Sequence, residues 1–178
     1  MKHAPTGFLT RLLTVVSALL ATATATTPTA SADVVWSNNP YRIVNTATSG
    51  NLVPWGLGQN HADNILIYAW NLSSAGNSWR LVPVEGDYYL LRNTVTNKCI
   101  KAGSPYDGVE TYVSQHSCSN AYEFQWRLNA GYADPTQFQI VSRSTSQAMR
   151  PENNLPNQAV ILDTPSASPL NTWSLNPA

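Results

Sequence analysis

The residues of this chain that are best suited to chemistry are aromatic. Trp55, Tyr68 and Trp70 stand close together in the sequence, and Tyr68 and Trp70 would share one face of a strand because residues two apart point to the same side. The loop that holds Trp55 could fold over that face. Rings grouped in this way can bind the apolar face of a pyranose while nearby polar groups hold its hydroxyls. The alternative is that one or two of the three rings belong to the core.

Catalytic chemistry has few candidates. Beyond residue 32 the chain has two histidines, His61 and His116, and no recognisable nucleophile motif. Asp107 and Glu110 come nearest to the paired carboxylates of a glycosidase, although charged residues in a loop are most often simply solvated. We therefore expect a binding protein without a catalytic site or a cofactor.

The charge of the chain argues against one class of ligand. Charged residues make up 11% of the sequence, ten basic and ten acidic, and no basic stripe is visible. Binding of basic side chains to the phosphates of a nucleic acid is therefore not expected. A surface of neutral hydrogen-bonding and aromatic residues suits uncharged, hydroxyl-rich ligands, although secreted β proteins without any ligand share this composition.

The first 32 residues read as a signal peptide. Lys2 and Arg11 give a basic start, Leu12 to Ala21 is a short apolar run, and Ala30-Ser31-Ala32 is a small-residue cleavage pattern. The apolar run is shorter than the roughly 20 residues that span a bilayer, and no later segment approaches that length. We expect a secreted protein without a transmembrane segment, whose residues 33–178 form one domain.

Three tryptophans reveal a repeat that organises this domain. Trp79, Trp126 and Trp173 are separated by equal intervals of 47 residues, and each is followed two places later by Leu. Equal spacing of about 20 to 50 residues is the mark of a repeat architecture, in which one unit cannot cover its own apolar face. The sequence thus predicts three units that share one interior.

Each unit shows the same four apolar segments of strand length. An aromatic residue opens a hairpin, a polar loop leads to a third strand, and the segment around the repeated Trp forms the fourth. Helical periodicity appears nowhere, and Pro and Gly interrupt the chain often. The prediction is an all-β fold of twelve strands, with hairpins opening at Tyr41, Tyr89 and Phe138 and third strands at Ile65–Trp70, Tyr112–His116 and Ala159–Leu162.

Two cysteines, Cys99 and Cys118, both lie in the second unit. In an exported domain such a pair is expected to form a disulfide. A metal site built on two cysteines is the weaker alternative, because no further His or Cys stands at ligand spacing.

The second unit resembles the repeat of ricin-B-type lectins, which carries a Gln-x-Trp signature. The likeness rests on Cys99-Ile100, on Val113, His116 and Cys118 at their spacing, and on Phe124-Gln125-Trp126-Arg127-Leu128. The resemblance implies a β-trefoil over Trp36 to Pro177 and a disulfide between Cys99 and Cys118. The first unit is similar to the binding subunits of cytolethal distending toxins, most of all the A-type one, in Asn51–Leu57, Ile67–Trp70 and Asn77–Leu81.

The family's sugar-binding set is not kept in this sequence. Ricin-type lectins use an Asp two residues after the hairpin Cys, an aromatic residue in the third strand and an Asn shortly before the signature Trp. Here these positions hold Val53, Lys101 and Arg150, then Trp70, His116 and Leu162 or Asp163, then Gly76, Glu123 and Leu170. Galactose binding at the usual sites is not expected.

The candidate ligand-binding residues are therefore those of two units. The resemblance to the toxin's binding subunits implies an aromatic surface patch, which here would be Trp55, Tyr68 and Trp70, and the second unit offers Lys101, His116 and Glu123. Two interpretations of the function stay open. The chain binds a cell-surface glycoconjugate as part of a toxin that also contains a second trefoil and a nuclease, or it is a free-standing lectin for environmental polysaccharide.

Overall fold

The computed structural model describes residues 39–104, 111–130 and 136–178. These residues form twelve antiparallel strands, four in each sequence unit, joined by turns and short 3₁₀ segments. The strands are β1 (Tyr41–Asn45), β2 (Asn51–Pro54), β3 (Ile65–Trp70), β4 (Ser78–Pro83), β5 (Tyr88–Asn93), β6 (Cys99–Ser104), β7 (Tyr112–His116), β8 (Trp126–Ala130), β9 (Gln137–Ser142), β10 (Ala148–Pro151), β11 (Gln158–Asp163) and β12 (Trp173–Pro177). The predicted all-β class is confirmed.

Six of the strands close into a barrel. The first and fourth strands of each unit pair in the order β1, β4, β5, β8, β9, β12 and back to β1. The pairings that cross from one unit to the next, such as β4 with β5, extend over five residues, whereas the pairings within a unit extend over two. Closure leaves no free edge in the barrel.

The other six strands form a cap of three hairpins over one end of the barrel. Each hairpin joins the second and third strands of a unit, and the third strands β3, β7 and β11 pair with one another in a triangle. A six-stranded barrel with a triangular hairpin cap is the β-trefoil. The cap matters for function because its outward faces carry the candidate binding residues.

The three repeated tryptophans lie in equivalent positions of the core. Trp79, Trp126 and Trp173 have no exposed surface. Each indole nitrogen donates to a backbone carbonyl of the second strand of its unit, at 2.7 Å to Leu52, 3.0 Å to Ile100 and 3.0 Å to Met149. A buried Trp thus has its only polar group satisfied. The leucines that follow, Leu81, Leu128 and Leu175, pack against the same cluster.

Equivalent turns close the first hairpin of each unit. Ser49, Asn97 and Ser146 adopt positive φ angles of 57°, 60° and 59° before the second strand begins. In the first two units an Asn side chain, Asn45 or Asn93, accepts hydrogen bonds from backbone N–H groups of the turn. These local bonds set the register of the hairpins.

The disulfide between Cys99 and Cys118 is present, with Cα atoms 4.9 Å apart. Cys99 is buried on the outer side of the second unit, where it packs with Leu90 and Phe124 in a small cluster separate from the main core. The bond ties β6 to the segment that follows β7.

Three expectations concern residues outside the described ranges. The predicted signal peptide of residues 1–32 and the acidic pair Asp107 and Glu110 lie there, and so does Val34–Trp36, whose apolar residues predict a short strand before the first unit.

Candidate functional site

The three aromatic residues of the first unit form one cluster on the outer face of its hairpin. Ile67 and Ala69 of β3 point into the core, so Tyr68 and Trp70 point outward. The ring centroids of Trp55 and Tyr68 lie 5.0 Å apart, those of Trp55 and Trp70 5.3 Å, and those of Tyr68 and Trp70 5.9 Å. These distances are typical of aromatic pairs in direct contact. We call Trp55, Tyr68 and Trp70 the aromatic patch.

None of the three rings is a core residue. Trp55 is 50% exposed, and Tyr68 and Trp70 are half-buried. The alternative that one or two of them fill the interior is therefore wrong for this fold. Trp55 is the outermost ring, since the other two stand on the strand beneath it.

A groove runs beside the aromatic patch. It has a volume of about 350 Å³ and is lined by Trp55, Tyr68, Asn64, Ile65 and Leu66. None of these described lining residues carries a charge. The backbone N–H of Trp55 donates to the Leu66 carbonyl at 2.8 Å, which anchors the start of the loop that forms one wall.

Amide side chains surround the aromatic patch, and one of them comes from another unit. Asn51 pairs with Trp70 across the hairpin, and its side chain donates to the Leu72 carbonyl. Asn157, in the β10–β11 turn of the third unit, accepts from the Asn71 backbone at 3.0 Å. Asn64 and Asn157 were not among the residues predicted from the sequence, and Asn157 comes near the patch only through the pairing of β3 with β11.

The second unit presents a different set at the equivalent face. Lys101 lies opposite Ser114, whose hydroxyl is 2.9 Å from Nε2 of His116. The His116 ring meets Phe124 edge-on, with centroids 6.3 Å apart. Glu123 is the neighbour of Phe124 in a short 3₁₀ segment and is half-buried. The structure therefore places Lys101 and His116 on one face, with Glu123 near its border.

Burial lowers the pKa of His116 below its ordinary value, and the positive charges of Lys101 and Lys98 lower it further, while Asp63 acts in the opposite direction. The ring is therefore neutral at pH 7 and offers one donor and one acceptor. The face can bind through hydrogen bonds and one ammonium group.

The third unit closes its own equivalent face with an ion pair. Nε of Arg150 lies 2.6 Å from Oδ2 of Asp163, and Nη1 donates to the carbonyls of Pro151 at 2.8 Å and Glu152 at 2.7 Å. The hydrogen bond from Arg150 lowers the pKa of Asp163, with help from the Thr164 backbone. Both side chains are thus engaged with each other.

Strand pairing decides which residues of the three units are equivalent. Trp70 lies opposite Asn51, His116 opposite Cys99, and Asp163 opposite Ala148. Leu162, the other sequence candidate for this position, is buried in the core. The position that the sequence left open is therefore Asp163.

Family comparison agrees with this architecture. The model described as ricin-type beta-trefoil lectin domain-like matches residues 75–163, which is half of the chain. The chain belongs to this family. No curated protein sequence matches it significantly.

Solved structures share the fold of this ricin-type domain at low sequence identity. The designed three-fold symmetric protein ThreeFoil is 24% identical, with a TM-score of 0.68 over 78% of this chain and 99% of that one. A chain of the cytolethal distending toxin from Actinobacillus actinomycetemcomitans is 18% identical, with a TM-score of 0.63 over 78% and 91%. The Polyporus squamosus lectin, solved with a human-type influenza-binding epitope, is 16% identical, with a TM-score of 0.60 over 79% and 49%.

Membership of the family sharpens the difference between the three faces. Val53, Lys101 and Arg150 occupy equivalent positions in β2, β6 and β10. None of the three faces therefore has an acidic group at this position. Within the described residues, no group of three His, Cys, Asp or Glu side chains is placed to hold a metal. None of the helical segments in this part of the chain is long and apolar enough to cross a membrane.

Proposed function

We propose that this ricin-type domain is a non-catalytic carbohydrate-binding protein whose ligand rests on the aromatic patch. The observation that carries the proposal is the grouping of Trp55, Tyr68 and Trp70 on the surface, in contact with one another and half exposed at Trp55. Rings held at the surface expose apolar area to water, which a bound ligand would cover.

The chemistry of the patch suits a pyranose. The C–H face of a sugar ring stacks on an aromatic face, a contact worth roughly 0.5–1.5 kcal/mol by analogy with aromatic pairs, and fully buried anchors reach about 2 kcal/mol or more. The amides of Asn51 and Asn64 supply donors and acceptors for hydroxyl groups nearby.

The groove favours a neutral ligand. None of the described residues that line it carries a positive charge that could form an ion pair with a carboxylate or sulfate. Its volume of about 350 Å³ falls within the roughly 300–1,000 Å³ of small-molecule sites. Simple galactosides should bind no better than millimolar, since the acidic residue of the family's sites is absent at Val53, Lys101 and Arg150.

The second face is a proposed auxiliary contact. Lys101, His116 and Glu123 offer hydrogen bonds but no exposed aromatic plate. A long glycan could reach both faces of the cap, since β3 pairs directly with β7.

The test is the replacement of Trp55, Tyr68 and Trp70 together by Ala. Affinity electrophoresis in gels containing a neutral polysaccharide (arabinogalactan, xylan, a soluble β-1,3-glucan or hydroxyethyl cellulose) should show binding by the native chain. The triple variant should bind at least about tenfold more weakly, equivalent to about 1.4 kcal/mol. Polygalacturonate, which is anionic, should retard neither protein.

Tyr122→Ala is the matched control. Tyr122 is 57% exposed, as prominent as Trp55, but it stacks on Arg143 away from the patch. This variant should bind like the native chain. A well-folded triple variant with undiminished binding would overturn the proposal.

We further propose that the protein is secreted and binds a cell-surface glycoconjugate as one component of a toxin. The signal-peptide pattern supports export. The structural match to a cytolethal distending toxin chain covers 91% of that chain, which supports a comparable role in a toxin. Extracellular protein beginning at Asp33 and co-purification with a nuclease would support this version. Export without such a partner, together with binding to environmental polysaccharide, would favour the free-standing lectin.

A further inference from the structure

We propose that Gly76 is a positioning residue for Trp55, because its lack of a side chain lets the loop after β2 pack closely enough to hold Trp55 against Tyr68 and Trp70. The proposal rests on the function proposed above for that patch. It arises from the way in which the loop after β2 packs against the 3₁₀ segment Ala75–Asn77.

The loop after β2 has an unusual backbone. Gly56, Leu57 and Gly58 have successive φ angles of 79°, 56° and 80°, and the N–H of Gln59 donates to the Gly56 carbonyl at 3.1 Å. This left-handed turn is disfavoured for Leu57, because a side chain crowds the backbone there. Such a conformation persists where surrounding contacts hold it.

The contact that holds it is with Gly76. A Cβ atom placed on Gly76 would lie 2.2 Å from the carbonyl oxygen of Leu57 and 2.8 Å from the Cα of Gly58. A Cβ on Gly58 would lie 2.7 Å from the Cα of Gly76. Two backbone segments therefore meet at a distance that only glycine permits.

Gly76 itself does not have a positive φ angle, so its backbone alone does not require glycine. The requirement comes from the approach of the loop. Glu123 and Leu170 stand at the same place in the other two units, three residues before the core Trp, and both have side chains. The first unit thus fills with its own loop the space that a side chain occupies elsewhere.

This contact determines where the indole of Trp55 lies. Trp55 begins the loop, and its backbone is bonded to Leu66 on one side while the loop leans on Gly76 on the other. A side chain at position 76 has to push the loop away from the 3₁₀ segment, because real Cβ atoms do not approach backbone within 3.0 Å. The ring contacts of Trp55 with Tyr68 and Trp70 would then be lost.

The experiment uses Gly76→Ala with two readouts. The first is acrylamide quenching of Trp55 fluorescence, obtained as the difference between each protein and its Trp55→Phe counterpart. The subtraction removes the signal of the other five tryptophans, so the difference reports on the 50% exposed Trp55. Gly76→Ala should at least double the quenching constant of Trp55. The second readout is binding to the neutral polysaccharide bound best by the native chain, which should weaken at least fivefold.

A double substitution separates positioning from general damage. In a Trp55→Ala background, Gly76→Ala should weaken binding by less than twofold, because its effect acts through Trp55. Leu170→Ala at the equivalent place in the third unit should change neither readout. Gly86→Ala, with a φ of 58° and no atom within 4 Å, should also change neither and tests backbone strain without a contact.

Gly58→Ala approaches the same contact from the loop side and should reproduce the effects of Gly76→Ala, so a poorly folding Gly76 variant does not leave the question open. Native Trp55 quenching in both glycine variants would overturn the positioning role. If the native chain binds no neutral polysaccharide, the proposed function fails, whereas the fluorescence comparison still tests the position of Trp55.

Discussion

The first and third units expose equivalent outer faces of their cap hairpins, but the first face is open to a ligand and the third is closed. At the position opposite Asn51 the first unit has Trp70, and at the position opposite Ala148 the third has Asp163. In the first unit an aromatic patch stays accessible, while in the third an ion pair between Arg150 and Asp163 occupies the face. The same backbone register therefore carries an open surface and a closed one.

The buried sides of these two units, in contrast, are alike. Trp79 and Trp173 have no exposed surface, and each donates its indole N–H to the second strand of its unit. Core packing is dense and tolerates few alternatives, so the three units must fill it alike. Outer faces meet water and can diverge. A threefold scaffold can thus specialise one face for binding while the others remain structural.

The largest expected effect is on stability, and it distinguishes a buried tryptophan from an exposed one. Trp173→Ala should lower the free energy of unfolding by about 3–5 kcal/mol, because it leaves a cavity and removes a satisfied buried ring. Trp55→Ala should change stability by less than about 1 kcal/mol, since half of its surface is already in water. Urea unfolding of both variants measures the difference, and equal losses would break the comparison.

The second expected effect concerns the disulfide of the second unit. Replacing Cys99 and Cys118 by Ser should cost about 3 kcal/mol, the chain-entropy value for a closed loop of this size. Polysaccharide binding at room temperature should stay within twofold, because the aromatic patch lies on another unit. Thermal unfolding measures the loss of stability, and affinity electrophoresis measures binding. Loss of binding in the folded variant would place the ligand on the second face.

The third expected effect compares the first and second faces. Changing Lys101, His116 and Glu123 together to Ala should weaken binding by no more than about threefold, because none of these three side chains is an exposed Trp or Tyr ring on which a sugar could stack. Titration with the same neutral polysaccharide gives the ratio to the aromatic triple variant. A larger loss here than in the aromatic variant would reverse the ranking of the faces.

The smallest expected effect is the pH dependence of the third face. The pKa of Asp163 is lowered in the folded protein from 3.8, so the unfolded chain binds the proton more readily. The ion pair therefore contributes stability above about pH 4, and this contribution is lost as the pH falls through the lowered pKa. Since the pair is partly exposed, the contribution should stay below about 1 kcal/mol.

Asp163→Asn measures that contribution. The difference in unfolding free energy between this variant and the native chain should be largest near pH 7 and should shrink toward pH 3. A difference that grows on acidification would contradict the lowered pKa. Polysaccharide binding should not change at pH 7, because the third face is closed in the native chain.

Local sequence patterns were enough to predict the repeat, the strands and the core. Period-two alternation and turn residues act between neighbours, so the hairpins at Tyr41 and Tyr89 were predictable from short segments. The equal spacing of Trp79, Trp126 and Trp173 predicted a shared interior, since each unit has to bury one apolar face against the others. The cysteine pairing was predictable because the chain contains only these two.

The composition of the binding surface, in contrast, depends on contacts between distant segments. Whether Trp55 and Trp70 are core or exposed depends on strand register, because a shift of one residue exchanges the two faces. Asn157 and Asn71 form a hydrogen bond although they are 86 residues apart in the sequence. Arg150 contacts Asp163 only when the β10–β11 hairpin has formed in its register. The contact between Gly58 and Gly76 likewise needs the loop and the 3₁₀ segment in place. Local patterns do not encode such contacts, since they form between segments that only the closed barrel and its cap bring together.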